Sequence, residues 1–116
     1  MEISTRQQGP VTVLQLNGRL DLASGTILKE QVKKLLGKNT TCVHLNLTGV
    51  DFINSSGLGA LVSIMKEVRM FKGRLTLSNL ANYVQEIFDI TQLSHIFEIF
   101  SSEEEALSSY QPVTTL

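Results

Sequence analysis

The apolar residues of this 116-residue chain alternate regularly in their spacing, from every second position to every third or fourth and back again. Residues 11–18, VTVLQLNG, are β-branched and apolar and stop at Asn17-Gly18, which reads as a strand ending in a turn. Residues 2–9 read as a shorter, polar strand paired with it through Gly9-Pro10. From Ala23 to Leu36, Leu28, Val32, Leu35 and Leu36 recur at helical spacing, mainly opposite Lys29, Glu30, Lys33 and Lys34, and Gly37 is expected to cap this helix. Across 41–47, Val43, Leu45 and Leu47 alternate with Cys42, His44 and Asn46, the period of a strand with one strongly apolar face that leaves His44 exposed or half-buried. After Ser56, a stripe of Leu58, Leu61, Val62, Met65 and Val68 predicts a helix of about 15 residues, about 22 Å long, ending near Gly73. Residues 74–79 read as a short strand, 81–90 as a helix with Val84, Ile87 and Phe88 inward, and 95–100 as another strand. Ser101 or Ser102, followed three residues later by Glu104 or Glu105, opens a last helix with a capping-box pattern.

Such alternation with short connections implies an α/β fold, a mostly parallel sheet with crossover helices. One domain is expected over 1–110, followed by a patternless, flexible tail at 111–116. With 42% hydrophobic and 18% charged residues, the composition argues against disorder and against a fibrous architecture. The net charge of −1 and the scattered Lys and Arg residues give no footprint for direct nucleic-acid binding. Cys42 has no second thiol with which to form a bridge or a zinc site, which fits a reducing, cytoplasmic setting. No run approaches the roughly 20 apolar residues of a membrane span, so no membrane insertion is expected. No apolar seam is left over once the core is assigned, which predicts a monomer when free.

The segment NSSGLG, residues 54–59, stands where a strand hands over to a helix, the place where open α/β sheets carry their functional crevice. One reading makes Ser55 or Ser56 a helix N-cap and gives Gly57 and Gly59 to a tight turn and close packing. Another presents a serine hydroxyl at a helix start whose unpaired N–H groups and positive dipole end tolerate a phosphate. A serine-hydrolase elbow would need a leading glycine and a tied base, and neither His44 nor His95 has any sequence link to Ser55. A nucleotide loop would need the P-loop lysine and spacing, which are missing. The acidic run at 102–105 reads as a helix start rather than a metal site. No cofactor and no catalytic residue are expected.

The stretches GRLDLASG (18–25), LNLTGVDFINSSGLGALV (45–62), VQEIFDITQLSHIFEIF (84–100) and SSEEEAL (101–107) together resemble STAS-domain proteins, specifically the anti-sigma factor antagonist family. The resemblance runs over nearly the whole chain, and its serine-glycine segment is the most specific part. It implies a small mixed sheet flanked by helices and a partner-switching role. The unmodified protein would bind an anti-sigma factor with serine kinase activity, be phosphorylated by it from ATP, and be restored by a serine phosphatase. The modified serine of the family maps onto Ser55, and Asp21 matches an acidic position near that loop. The family usually has Asp before the modified serine, where this chain has Asn54. Partner contacts are expected from Asp21, Asn54, Ser56, Gly57, Leu58 and Gly59, and from Ser63, Lys66 and Glu67, which lie off the inward helix stripe. Two other classes fit the same segment: a STAS adaptor subunit of a signalling or transport complex without phosphoregulation, and a small-ligand module using the glycine-containing helix start.

Overall fold

The computed structural model describes residues 1–110; the expected tail at 111–116 lies outside the described residues. Strand β1 (Glu2–Gln8) folds back on β2 (Val11–Leu20), antiparallel, from Glu2 opposite Asn17 to Gln8 opposite Val11. The two-residue Gly9-Pro10 connection has Gly9 at φ +60°, as a hairpin turn with glycine in its first central position requires. Helix α1 (Leu22–Gly37), strand β3 (Cys42–Ile53), helix α2 (Ser55–Met70) and strand β4 (Arg74–Ser78) follow. Helix α3 (Asn82–Ile90), a single 3-10 turn (Leu93–His95), strand β5 (Glu98–Phe100) and helix α4 (Glu103–Ser108) complete the described residues. The five strands form one mixed sheet in the order β1-β2-β3-β4-β5, with every pair after the first parallel.

The predicted order of elements holds, and the departures have local causes. Asn17-Gly18 does not end β2. The strand passes through it with register shifts at Gln15/Asn17 and Gly18/Arg19, and Gly18 takes the φ of +119° that this irregularity needs. The extra length carries Leu20 alongside Ile53, because β3 also runs on well past Leu47. Gly37 is the last residue of α1 rather than its cap, and the left-handed residue that turns the chain out is Asn39, at φ +63°. The strand expected over 95–100 shrinks to Glu98–Phe100 because Gln92, at φ +62°, leads into the 3-10 turn.

The larger core lies on the sheet face under α1, α2 and α3. Leu14, Leu45 and Leu77 follow one another across the strands, with Val43 beside Leu75 in the next row. Leu28, Val32 and Leu36 of α1, Leu61, Ile64 and Val68 of α2, and Val84 and Phe88 of α3 close over them. Ile64, absent from the predicted stripe, is fully buried.

The opposite face is polar and covered as well, which the alternation in β3 concealed. His44 is completely buried rather than exposed or half-buried, with Nδ1 2.7 Å from the Thr76 hydroxyl and Nε2 2.8 Å from the Ser78 hydroxyl. A neutral imidazole offers one donor and one acceptor, so two hydroxyls satisfy it completely. Helix α4 and Tyr110 form the lid: Asn46 Nδ2 donates to Glu103 at 3.0 Å, Arg6 pairs with Glu103, and the Tyr110 hydroxyl lies 2.9 Å from that of Thr76. Of the two candidate caps for α4, Ser102 serves, its hydroxyl accepting from the Glu105 N–H at 3.2 Å.

Burial lowers the His44 pKa from 6.5 to about 4. The unfolded chain therefore takes up a proton at His44 as pH falls through 6.5, while the folded chain resists until about 4. This contribution to stability is complete above pH 6.5 and is lost progressively as the pH falls towards 4. Asp21, Glu98 and Glu103 are held below their ordinary values of 3.8, 4.5 and 4.5, so their contributions disappear only under more acid conditions. Ser24 hydrogen bonds lower Asp21, the Arg74 bond lowers Glu98, and at Glu103 the upward push of burial is outweighed by bonds from Asn46 and Arg6. Urea unfolding should show stability declining between pH 6.5 and 4.5, and a folded His44→Gln variant should lose that slope; an unchanged slope would assign the decline to another group.

Candidate functional site

Strand register builds the site. Leu20 and Ile53 are cross-strand partners at the carboxyl ends of β2 and β3, so Asp21 and Asn54 leave the sheet side by side, and each caps the helix that follows. The Asp21 carboxylate accepts from the Ser24 N–H at 3.1 Å, and the Ser24 hydroxyl accepts from the Asp21 N–H at 3.0 Å, a reciprocal capping box. Those bonds to Ser24 are also what keep the Asp21 carboxyl below its usual range. Asn54 Oδ1 accepts from the Gly57 N–H at 2.9 Å, and the Asn54 N–H reaches back to the Leu20 carbonyl at 3.3 Å.

Neither serine caps the helix. Asn54 holds that post, so Ser55 and Ser56 occupy the first two helical positions, exposed, and among the described residues their hydroxyls enter no hydrogen bond. The fold makes no demand on either side chain. Unpaired N–H groups are normal at that end of a helix, and the partial positive charge they carry favours an anion.

The two glycines of the segment have separate roles. A Cβ at Gly57 would lie 2.1 Å from the Leu20 carbonyl oxygen, so that residue must be glycine for α2 to start this close to β2. A Cβ at Gly59 would meet nothing within 4 Å. Gly59 is exposed in the helix interior, where glycine costs roughly 1 kcal/mol relative to alanine, and nothing in the packing requires it. On α1, Gly25 lets the helices approach: a Cβ there would lie 2.6 Å from that of Ala60.

The sequence-derived site residues thus divide. Asp21, Asn54, Ser55, Ser56, Leu58 and Gly59 lie together at the paired helix starts, with Asp21 and Leu58 half-buried, whereas Gly57 is buried against β2 and presents no side to a partner. Leu22, 69% exposed at the first position of α1, belongs to the same surface; a leucine ahead of the first helical stripe was the available signal for it. Ser63, Lys66 and Glu67 lie further along α2, with Lys66 exposed and the other two half-buried. His44, locked to Thr76 and Ser78 on the other sheet face, cannot serve as a base for Ser55. A separate cavity of about 530 Å³ opens between Leu80, Asn82, Gln85, Ser94 and Phe100, and no residue of the serine segment lines it. Among the described residues, no helix is long and apolar enough to cross a membrane.

Residues 2–106 match the model of the STAS domain family. The anti-sigma-B factor antagonist of Listeria monocytogenes is 30% identical over 105 residues, covering 90% of this chain and 91% of the relative. A crystal structure of a Thermotoga maritima protein superposes with a TM-score of 0.86 at 25% identity, covering 92% of each chain. The anti-sigma factor antagonist SpoIIAA shares the fold in its unphosphorylated form, with a TM-score of 0.75 at 21% identity over 97% of this chain and 100% of that one. In its phosphorylated form the TM-score is 0.74, at 21% identity over 95% of this chain and 100% of that one.

The contrast between the glycines is open to direct measurement. Gly59→Ala should stabilise the protein by about 1 kcal/mol in urea unfolding. Gly57→Ala should destabilise it by about 1 to 3 kcal/mol through forced displacement of the β2 carbonyl. A Gly59→Ala protein no more stable than the parent would mean that the fold itself needs this glycine.

Proposed function

The chain belongs to the STAS domain family, and from that premise we propose that it is an anti-sigma factor antagonist controlled by phosphorylation of Ser55. The observation that carries this reading is the Ser55 hydroxyl: exposed at the first position of α2, unbonded among the described residues, and relieved of capping by Asn54. In this reading the unmodified chain docks an anti-sigma factor with serine kinase activity through Asp21, the 54–59 segment and the exposed side of α2, including Ser63, Lys66 and Glu67. The kinase transfers phosphate from ATP to Ser55, and a serine phosphatase removes it. The protein is the substrate and the switch, and no residue of its own acts as a catalyst.

The local physics supports such a switch. Phosphorylation adds a charge of about −1.5 to −2 and several acceptor oxygens to a loop of small, neutral side chains, Asn54, Ser55 and Ser56, beside which Asp21 already carries a negative charge. The start of α2 tolerates the anion, and Asn54 beside it carries no opposing charge, so the fold survives modification. A partner that closes over Ser55 without a matching cation must desolvate the phosphate. By analogy with an unpaired buried charge this costs roughly 3 to 5 kcal/mol, or about 10² to 4 × 10³ in affinity.

The first experiment is intact-mass and peptide mass spectrometry of the protein recovered from its own cells, resolving Ser55 from Ser56. Phosphate is expected on Ser55, and Ser55→Ala should abolish it while leaving partner binding and folding intact. Ser55→Asp should weaken partner binding. A pool left unmodified across growth and stress conditions, with stable partner binding, would favour the constitutive adaptor instead.

A further inference from the structure

Strand β1 is an edge. Its inner side forms an unbroken antiparallel ladder with β2, register by register from Glu2 to Gln8, without bulge or proline. Among the described residues, no element pairs with its outer side. The two-residue hairpin makes Gln8 and Val11 a mutually bonded pair, so Gln8, Arg6, Ser4 and Glu2 turn their backbone groups towards β2. The N–H and C=O groups of Ile3, Thr5 and Gln7 therefore point away from the sheet. Native edges are commonly blunted by shortness, proline, bulges or clustered charge. The opposite edge, β5, is only three residues long, but β1 has seven and none of these devices beyond Glu2 and Arg6.

Those two charges have opposite sign and stand four residues apart. Both side chains lie on the α4 side of the sheet, where Arg6 meets Glu103, while Ile3 packs towards the apolar core on the other face. When a second β1 is laid antiparallel with Ser4 opposite Ser4, each Glu2 stands opposite the Arg6 of the other copy. Each Ile3 then stands opposite a Thr5, with all four backbone groups of the pair facing inward. No other antiparallel register pairs Glu2 with Arg6.

We propose that two copies of this chain join edge to edge through β1, antiparallel about a twofold axis at Ser4, so that their sheets continue as one. The contact needs no leftover apolar seam, which is why composition and helix stripes pointed to a monomer. Because β2 is antiparallel to β1, the two copies direct the carboxyl ends of their parallel strands oppositely. Both Ser55 surfaces remain open, and the association stands whatever the role of Ser55.

The test is sedimentation equilibrium of the wild-type chain over a concentration range reaching roughly millimolar, since a contact of one strand pair lies at the weak end of the interface scale. The mean mass should rise towards twice that of the monomer as concentration increases. Thr5→Pro removes an outward-facing donor without costing a bond to β2 and should weaken association at least about tenfold. Glu2→Arg, which sets like charges opposite one another and disrupts no ion pair among the described residues, should also weaken it, with circular dichroism confirming that each variant is folded. A wild-type chain monomeric throughout the range overturns the proposal. So does a dimer that persists unchanged in a folded Glu2→Arg variant.

Discussion

The contact on which the rest of this structure depends is the approach of α2 to the carboxyl end of β2, where Gly57 faces the Leu20 carbonyl with no room for a Cβ. It sets the height of α2 over the sheet and places the helix start beside that of α1. It also requires β2 and β3 to end in register, Leu20 against Ile53. The irregularities at Asn17 and Gly18 serve this same end, since they adjust β2 so that its last residues stay in step with β3. At Gly49 a Cβ would fall 1.8 Å from the Asn17 amide oxygen, so the pairing of these two strands is fitted around the bulge.

With that geometry in place, structural and free residues separate cleanly at the helix starts. Asp21 and Asn54 satisfy the N–H groups of their helices, Gly57 clears the β2 backbone, and Gly25 admits Ala60. Ser55, Ser56 and Gly59 do none of these things. Residues that the packing does not require can be set by what approaches them from outside, and here they lie together on one exposed surface. This concentration of structurally unemployed residues at the carboxyl ends of parallel strands is what marks the position as the candidate site.

The two sheet faces differ in kind. One is an apolar core under three helices, insensitive to pH. The other carries buried His44, Thr76, Ser78 and Asn46, closed by α4 through half-buried Glu103 and by Tyr110. Periodicity found the first face because leucine and valine declare themselves by type. It missed the second because His, Asn, Thr and Ser are read as solvent-facing until their partners are known. Those partners lie 32 and 34 residues away in sequence for His44, and 57 for Asn46.

The sequence by itself determined the α/β class and the order and number of helices and strands over the described residues, and it singled out the serine segment as the candidate site. These depend on local periods, caps and turn residues, whose physics acts within a few positions of the chain. It also determined that a helix starts near the serine pair, but not that Asn54 rather than a serine caps it, because all three side chains are competent caps. The tertiary structure decided which glycine is needed, where β2 ends, that His44 is buried, and that β1 presents an open edge. Each of those turns on a distance between residues remote in sequence, and such distances exist only once the strands have paired.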